Sequence, residues 1–158
     1  MGGYGMNDFM KELLLEEENL QFDFFTNDDA LNLGLTIIKL ANEAKQEIAI
    51  YIEINRQPIF AYFLKGTYLE IAYWINRKKN VVDRYAHSSM FVGEKFRNKG
   101  CDFNESSLLE PSKFQAAGGA FPILLKGVGM IGTVTVSGLS EEEDHKLCVD
   151  GIRNYLNK

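Results

Sequence analysis

The sequence predicts an α+β domain with a mainly antiparallel sheet, and three observations carry that prediction. Two stretches of period-two alternation, 47–65 and 120–137, each double back at a turn, Asn55-Arg56-Gln57 in the first and Gly127-Val128-Gly129 in the second. Helical patterns separate these hairpins instead of alternating with single strands, which distinguishes α+β from repeated βαβ units. The 158 residues are 46% apolar and 25% charged with three prolines, so one domain, placed at 7–158, can bury a core without disulfides or metal.

The elements follow in order. Residues 7–18 place Phe9 and Leu13 on one side of an acidic helix. Residues 20–25 alternate Leu20, Phe22 and Phe24 with Gln21, Asp23 and Phe25, which predicts a short edge strand. Asn27, Asp28 and Asp29 can cap a long helix running to about Gln46. Its apolar residues form one stripe at Leu31, Leu35 and Ile38, but Leu33, Ile37 and Leu40 lie elsewhere around the axis, so a second helix or a second subunit must cover part of it. The next strand sets Ile48, Ile50, Ile52 and Ile54 against Ala49 and Tyr51, and Pro58, lacking an N–H, belongs at the start of the returning strand.

Residues 68–85 align Tyr68, Ala72, Ile75 and Val82 on one helix face. Ser88 or Ser89 can cap another helix that Gly100 ends, and 101–113 read as connecting loop. In the last strand Val134 and Val136 oppose a row of hydroxyls, Thr133, Thr135 and Ser137. Ser140 and Glu143 form a capping box for the closing helix. Five strands result, in the order α-β-α-β-β-α-α-β-β-α.

Net charge is −5, which argues against generic attraction to nucleic acid or anionic membrane. The span from Arg77 to Lys99 nevertheless holds seven basic residues against Asp83 and Glu94. Within it Arg77 and Arg84 are two helical turns apart and could grip the acid groups of one anionic ligand, with Lys78 and Lys79 pointing elsewhere. Cys101 and Cys148 stand far apart with no zinc-type spacing, as free thiols of a reducing, cytoplasmic setting. The glycine-rich residues 1–6 read as a flexible arm or a cloning remnant.

No Walker loop, HExxH, GxSxG or CxxC occurs. The GVGMIG string at 127–132 sits inside a hairpin rather than opening a helix, so it serves turn geometry, not dinucleotide binding. Of the two histidines, His145 shares a helix face with Val149 and Ile152 and is directed toward the sheet. Near a helix N-terminus its imidazole should stay neutral unless a carboxylate lies opposite, free to bond a hydroxyl of Thr133, Thr135 or Ser137, to ligate an iron, or to act as a general acid or base. His87 follows Arg84 at a helix junction and reads as an exposed or loop-anchoring group.

From Leu31 onward the chain resembles the haem-degrading-domain-like superfamily that includes GlcG-like and HbpS-like proteins. The resemblance is carried by 74–82 (WINRKKNVV), by Gly118-Gly119-Ala120-Phe121-Pro122-Ile123, and by 132–139 (GTVTVSGL) followed by Glu143-Asp144-His145. It implies a profilin-like fold with a five-stranded antiparallel sheet, a symmetric homo-oligomer, and relatives that bind haem or corrinoids. It also brings the paired glycines Gly118 and Gly119 into the expected ligand site beside Ser137. The position before them, often histidine in such proteins, is Ala117 here. The expected function is therefore an oligomeric small-ligand-binding protein for a tetrapyrrole or another planar anionic molecule. An oligomeric scaffold and an enzyme using His145 are the alternatives.

Overall fold

The structure, a computed structural model, describes residues 5–157; residues 1–4, most of the glycine-rich start, lie outside the described part. Helices α1 (Asp8–Asn19) and α2 (Asn27–Glu43) lead into the hairpin β1 (Ala49–Ile54) and β2 (Gln57–Phe63). Helices α3 (Leu69–Tyr85), α4 (Ser89–Asn98) and the short α5 (Phe103–Ser107) follow, then the hairpin β3 (Ala120–Leu125) and β4 (Gly129–Ser137), and finally α6 (Glu141–Leu156). The described sheet has four strands in the order β2-β1-β4-β3, antiparallel throughout.

The expected fifth strand at 20–25 is a single parallel bridge between Phe22 and Leu125. The reason is length. Leu20 still closes α1, its N–H bonded to the Glu16 carbonyl, and Thr26 already caps α2, so few residues remain to run along β3. Phe22 alone makes ladder contacts, and Leu20, Phe22 and Phe25 instead drop into the core. The cap of α2 is Thr26, in a reciprocal box with Asp29, rather than Asn27 or the aspartates themselves. The helix ends at Glu43 because Lys45 turns left-handed at φ 56°. Ser88 caps α4 and Ser140 caps α6 with Glu143 in return, as their sequence patterns require. The stretch expected to be all loop contains α5, capped by Asp102.

The two sheet faces differ in chemistry. Ile50, Ile52, Val134, Val136, Phe121 and Ile123 project toward α2 and α6, where they join Leu33, Ile37, Cys148 and Ile152 in the main core. Side chains fully removed from water there contribute about 1.5–3 kcal/mol each. Gly151 permits the close crossing of the two helices, since a Cβ there would meet Ile37 at 2.3 Å. The opposite face carries Ala49, Tyr51, Glu53, Thr133, Thr135 and Ser137 beneath α3. The register brings Thr135 opposite Tyr51 and Thr133 opposite Glu53, and the hydroxyls of Thr133 and Thr135 are buried without a hydrogen-bond partner.

The buried face of α3 is Ile71, Ile75, Lys78, Val81 and Val82, with Val81 packed on Val92 and Phe103; of the expected stripe Ile75 and Val82 lie on this face, whereas Tyr68 is exposed. Cys148 lies in the main core with its thiol donating to the Gly119 carbonyl at 3.1 Å. Burial pushes that thiol up to about 12, whereas Cys101 is exposed. Native protein is therefore expected to give one equivalent of thiolate in a colorimetric thiol titration at neutral pH, rising to two in denaturant. Two fast equivalents in the native state would contradict the burial of Cys148. Among the described residues no helix is long and apolar enough to cross a membrane.

Candidate functional site

A cleft of about 660 Å³ opens where the N-terminal turns of α3 face the C-terminal end of β4 and the start of α6. The segment before β1 supplies Lys45 and Glu47, α3 supplies Tyr68, Ile71 and Trp74, and the approach to β3 supplies Ala117 and Gly118. Ser137 and Gly138 end β4, and Glu141 and Asp144 come from the first turn of α6. Its size is within the usual range for small-molecule pockets.

Lys78 lies at its base and is 2% exposed. Its ammonium donates to the Val136 carbonyl at 2.7 Å, to the Asp144 carboxylate at 3.1 Å and to the Gly118 carbonyl at 3.2 Å. Three protons thus meet three acceptors from β4, α6 and the approach to β3, and α3 is pinned to all of them. Asp144 divides its carboxylate between Lys78 and the N–H of Leu139, which it accepts at 3.0 Å. Burial pushes the Lys78 ammonium down and the Asp144 carboxyl up, and the opposite charge of each counters the shift of the other.

The paired glycines make room for this arrangement. A Cβ on Gly118 would lie 2.5 Å from the Glu141 carbonyl oxygen and from Met90 Cε. On Gly119, held at φ 134°, it would lie 2.4 Å from Lys78 Nζ and from the Val136 carbonyl oxygen. The Gly118 N–H donates to the Glu141 carboxylate at 3.1 Å.

The residues picked out from sequence separate into those at the cleft and those away from it. Gly118 and Ser137 line it, and Gly119 lies behind its floor. Thr135 is sealed under α3. Arg77 turns its guanidinium over the Trp74 ring at 5.0 Å and pairs with Glu70 at 3.1 Å, toward the N-terminus of α3 and so away from Arg84, which is exposed. The two arginines do not converge on one anion. Four of the seven basic residues between 77 and 99 have acidic partners: Arg77 with Glu70, Lys78 with Asp144, Lys79 with Glu53 and Asp83, and Arg97 with Glu94. The basic run in sequence is thereby dispersed in space, and among the described residues the cleft itself holds three carboxylates against two ammonium groups.

His145 is buried as expected, but its partner is not a sheet hydroxyl. Its Nε2 lies 2.8 Å from the Glu16 carboxylate on α1, and its ring is 6.0 Å from that of Phe121. The hydroxyl row projects from the far face of the sheet, out of its reach. The second histidine is engaged in the same way. His87 Nδ1 lies 2.7 Å from the Glu17 carboxylate, whose other oxygen accepts the Ser88 N–H at 3.1 Å. Both histidines therefore fasten α1 to the body of the domain. Lys78 was expected only to point elsewhere than the Arg77–Arg84 stripe, yet its buried place is visible in the spacing: Ile71, Ile75, Lys78 and Val82 follow the helical repeat of one face.

A family model for the haem degrading protein HbpS-like family matches residues 25–153. A UPF0303 protein of Streptomyces coelicolor is 44% identical over 147 residues, 93% of each chain. The crystal structure of Ybr137w protein superposes with a TM-score of 0.86 at 29% identity, over 94% of this chain and 87% of that one. The structure of a PduOC:Heme complex shares the fold, with a TM-score of 0.67 at 16% identity over 82% of this chain and 93% of that one. The extent of the family match and the identity to the Streptomyces relative place this chain in the HbpS-like family.

Proposed function

We propose that this is an oligomeric small-ligand-binding protein whose cleft holds a planar molecule. The observation that carries the reading is the composition of the cleft wall. Trp74 and Tyr68 offer aromatic surface beside Ile71, the Ser137 hydroxyl offers a donor and an acceptor, and Lys45, exposed at the mouth, offers a cation to an acidic substituent. The fixed Lys78–Asp144 pair sets the distance between the walls.

The haem in the family's description is a tetrapyrrole with an iron that takes an axial ligand from protein. Among the described residues the cleft lining contains no histidine, cysteine or methionine, and Tyr68 is its one phenol; Ala117 stands beside Gly118. His145 and His87 are outside it and committed to Glu16 and Glu17. The residues present do not fit imidazole ligation of haem iron, and the planar ring rather than the metal is the feature the cleft suits. The same placement argues against His145 as a general acid or base for a ligand bound there. A scaffold whose assembly is its function is the second reading, favoured by the exposed Leu31, Leu35, Tyr62 and Phe63.

Trp74 is the sole tryptophan, so its emission reports on the cleft. Saturable quenching by a metal-free dicarboxylate porphyrin is expected, with affinity weakened about tenfold in Tyr68→Ala/Ser137→Ala, which corresponds to about 1.4 kcal/mol. His145→Ala should lose about 1–3 kcal/mol of stability through its unpaired Glu16 and lost packing, with affinity intact. Absence of quenching by the porphyrin, by haem and by a corrinoid would favour the scaffold. Loss of binding in His145→Ala at retained stability would return the site to the histidine.

A further inference from the structure

We infer that β2 pairs through its outer edge with β2 of a second copy, forming one continuous antiparallel sheet across a two-fold axis. The inference rests on the oligomeric reading above and names the surface that reading requires.

The two sheet edges are treated differently. Along β3 the edge is covered at its end by Phe22, whose N–H donates to the Leu124 carbonyl at 2.8 Å and whose carbonyl accepts from Lys126 at 2.9 Å. Along β2 no described residue pairs on the outer side. Natural edges are normally blunted with charge, proline or a covering segment. The seven residues of β2, QPIFAYF, contain no charge, and their one proline is near the start.

The edge is also flanked by apolar side chains above and below. On the α2 side Tyr62 and Leu35 border a groove of about 620 Å³, with Leu31 one turn further along. On the α3 side is Phe63. These four half-exposed side chains present on the order of 400 Å². Counted over both copies and with the strand backbone added, that approaches the roughly 1,000 Å² in total that a specific interface must clear. A permanently open edge needs a partner present at matching concentration, and another copy of the chain meets that condition.

The register follows from the backbone. The Leu64 N–H is turned inward to the Ile48 carbonyl, so by the two-residue repeat Tyr62 also faces β1 while the N–H and C=O of Ala61 and Phe63 face outward. An axis at Tyr62 pairs Ala61 with Phe63 of the second copy, and Phe63 with its Ala61. Four hydrogen bonds form, Tyr62 lies opposite its equivalent, and Pro58 is outside the bonded window.

Sedimentation velocity and amide hydrogen exchange on the full chain test this together. The expected results are an oligomeric wild type, Ala61 and Phe63 amides that exchange at least tenfold more slowly than in the dilute monomer, and a folded Tyr62→Glu variant that sediments at half the wild-type mass or less. A monomeric wild type at micromolar concentration would overturn both the edge pairing and the oligomeric reading. An oligomeric wild type with freely exchanging Ala61 and Phe63 amides would overturn the edge pairing alone. If Tyr62→Glu fails to fold, the wild-type exchange pattern decides.

Discussion

Replacing Lys78 by methionine is expected to destabilise the fold by about 3–5 kcal/mol, because it leaves the Asp144 carboxylate buried without its counter-charge. The Val136 and Gly118 carbonyls lose a donor in the same step. Methionine fills most of the vacated volume, so the loss is electrostatic rather than a cavity effect. The double variant Lys78→Met/Asp144→Leu should recover much of it, since a buried ion pair replaced whole by apolar groups is often near neutral. Urea unfolding of the two variants measures this. A single variant within about 1 kcal/mol of wild type would mean that the pair does not hold α3 to the sheet.

Gly119→Ala is the second large effect, expected at about 3 kcal/mol or more. Its φ of 134° lies where only glycine is unstrained, and the added methyl would be driven into Lys78 Nζ and the Val136 carbonyl. Neither is the free end of a flexible chain, because both are fixed by the hydrogen bond between them. The strain and the overpacking each contribute on the order of 1–3 kcal/mol. By contrast Gly127→Ala, at a turn with open space around it, carries only the backbone strain. Equal stability losses for the two would place the whole effect in φ and none in the Lys78 seat.

Much of the fold is legible in the sequence because its signals are local. The two hairpins, the Ser140–Glu143 box and the hydroxyl face of β4 depend on neighbours within a few residues. The segment 20–25 misled because its alternation is that of a strand while its length is fixed by the helix caps on either side. The cleft was harder to read. Gly118 and Ser137 could be placed from motif and face, but Lys78 required treating a lysine on an apolar stripe as buried, which its charge argues against until Asp144 is in view. The basic run misled for a related reason: Glu53, Glu70 and Asp144, which pair with its members, come from β1, from the start of α3 and from α6. The partners of the two histidines lie 129 and 70 positions away on α1, a separation at which residue spacing carries no information.

The reading of the cleft as the ligand site is tested most directly by amide chemical-shift mapping of the wild-type chain titrated with the metal-free dicarboxylate porphyrin. The expected result is saturable shifts concentrated at Lys45, Tyr68, Trp74, Gly118 and Ser137, with the amides of His87, Glu16 and the rest of α1 unmoved. Shifts centred on His87 and α1 instead, or spread over the surface without saturation, would contradict it.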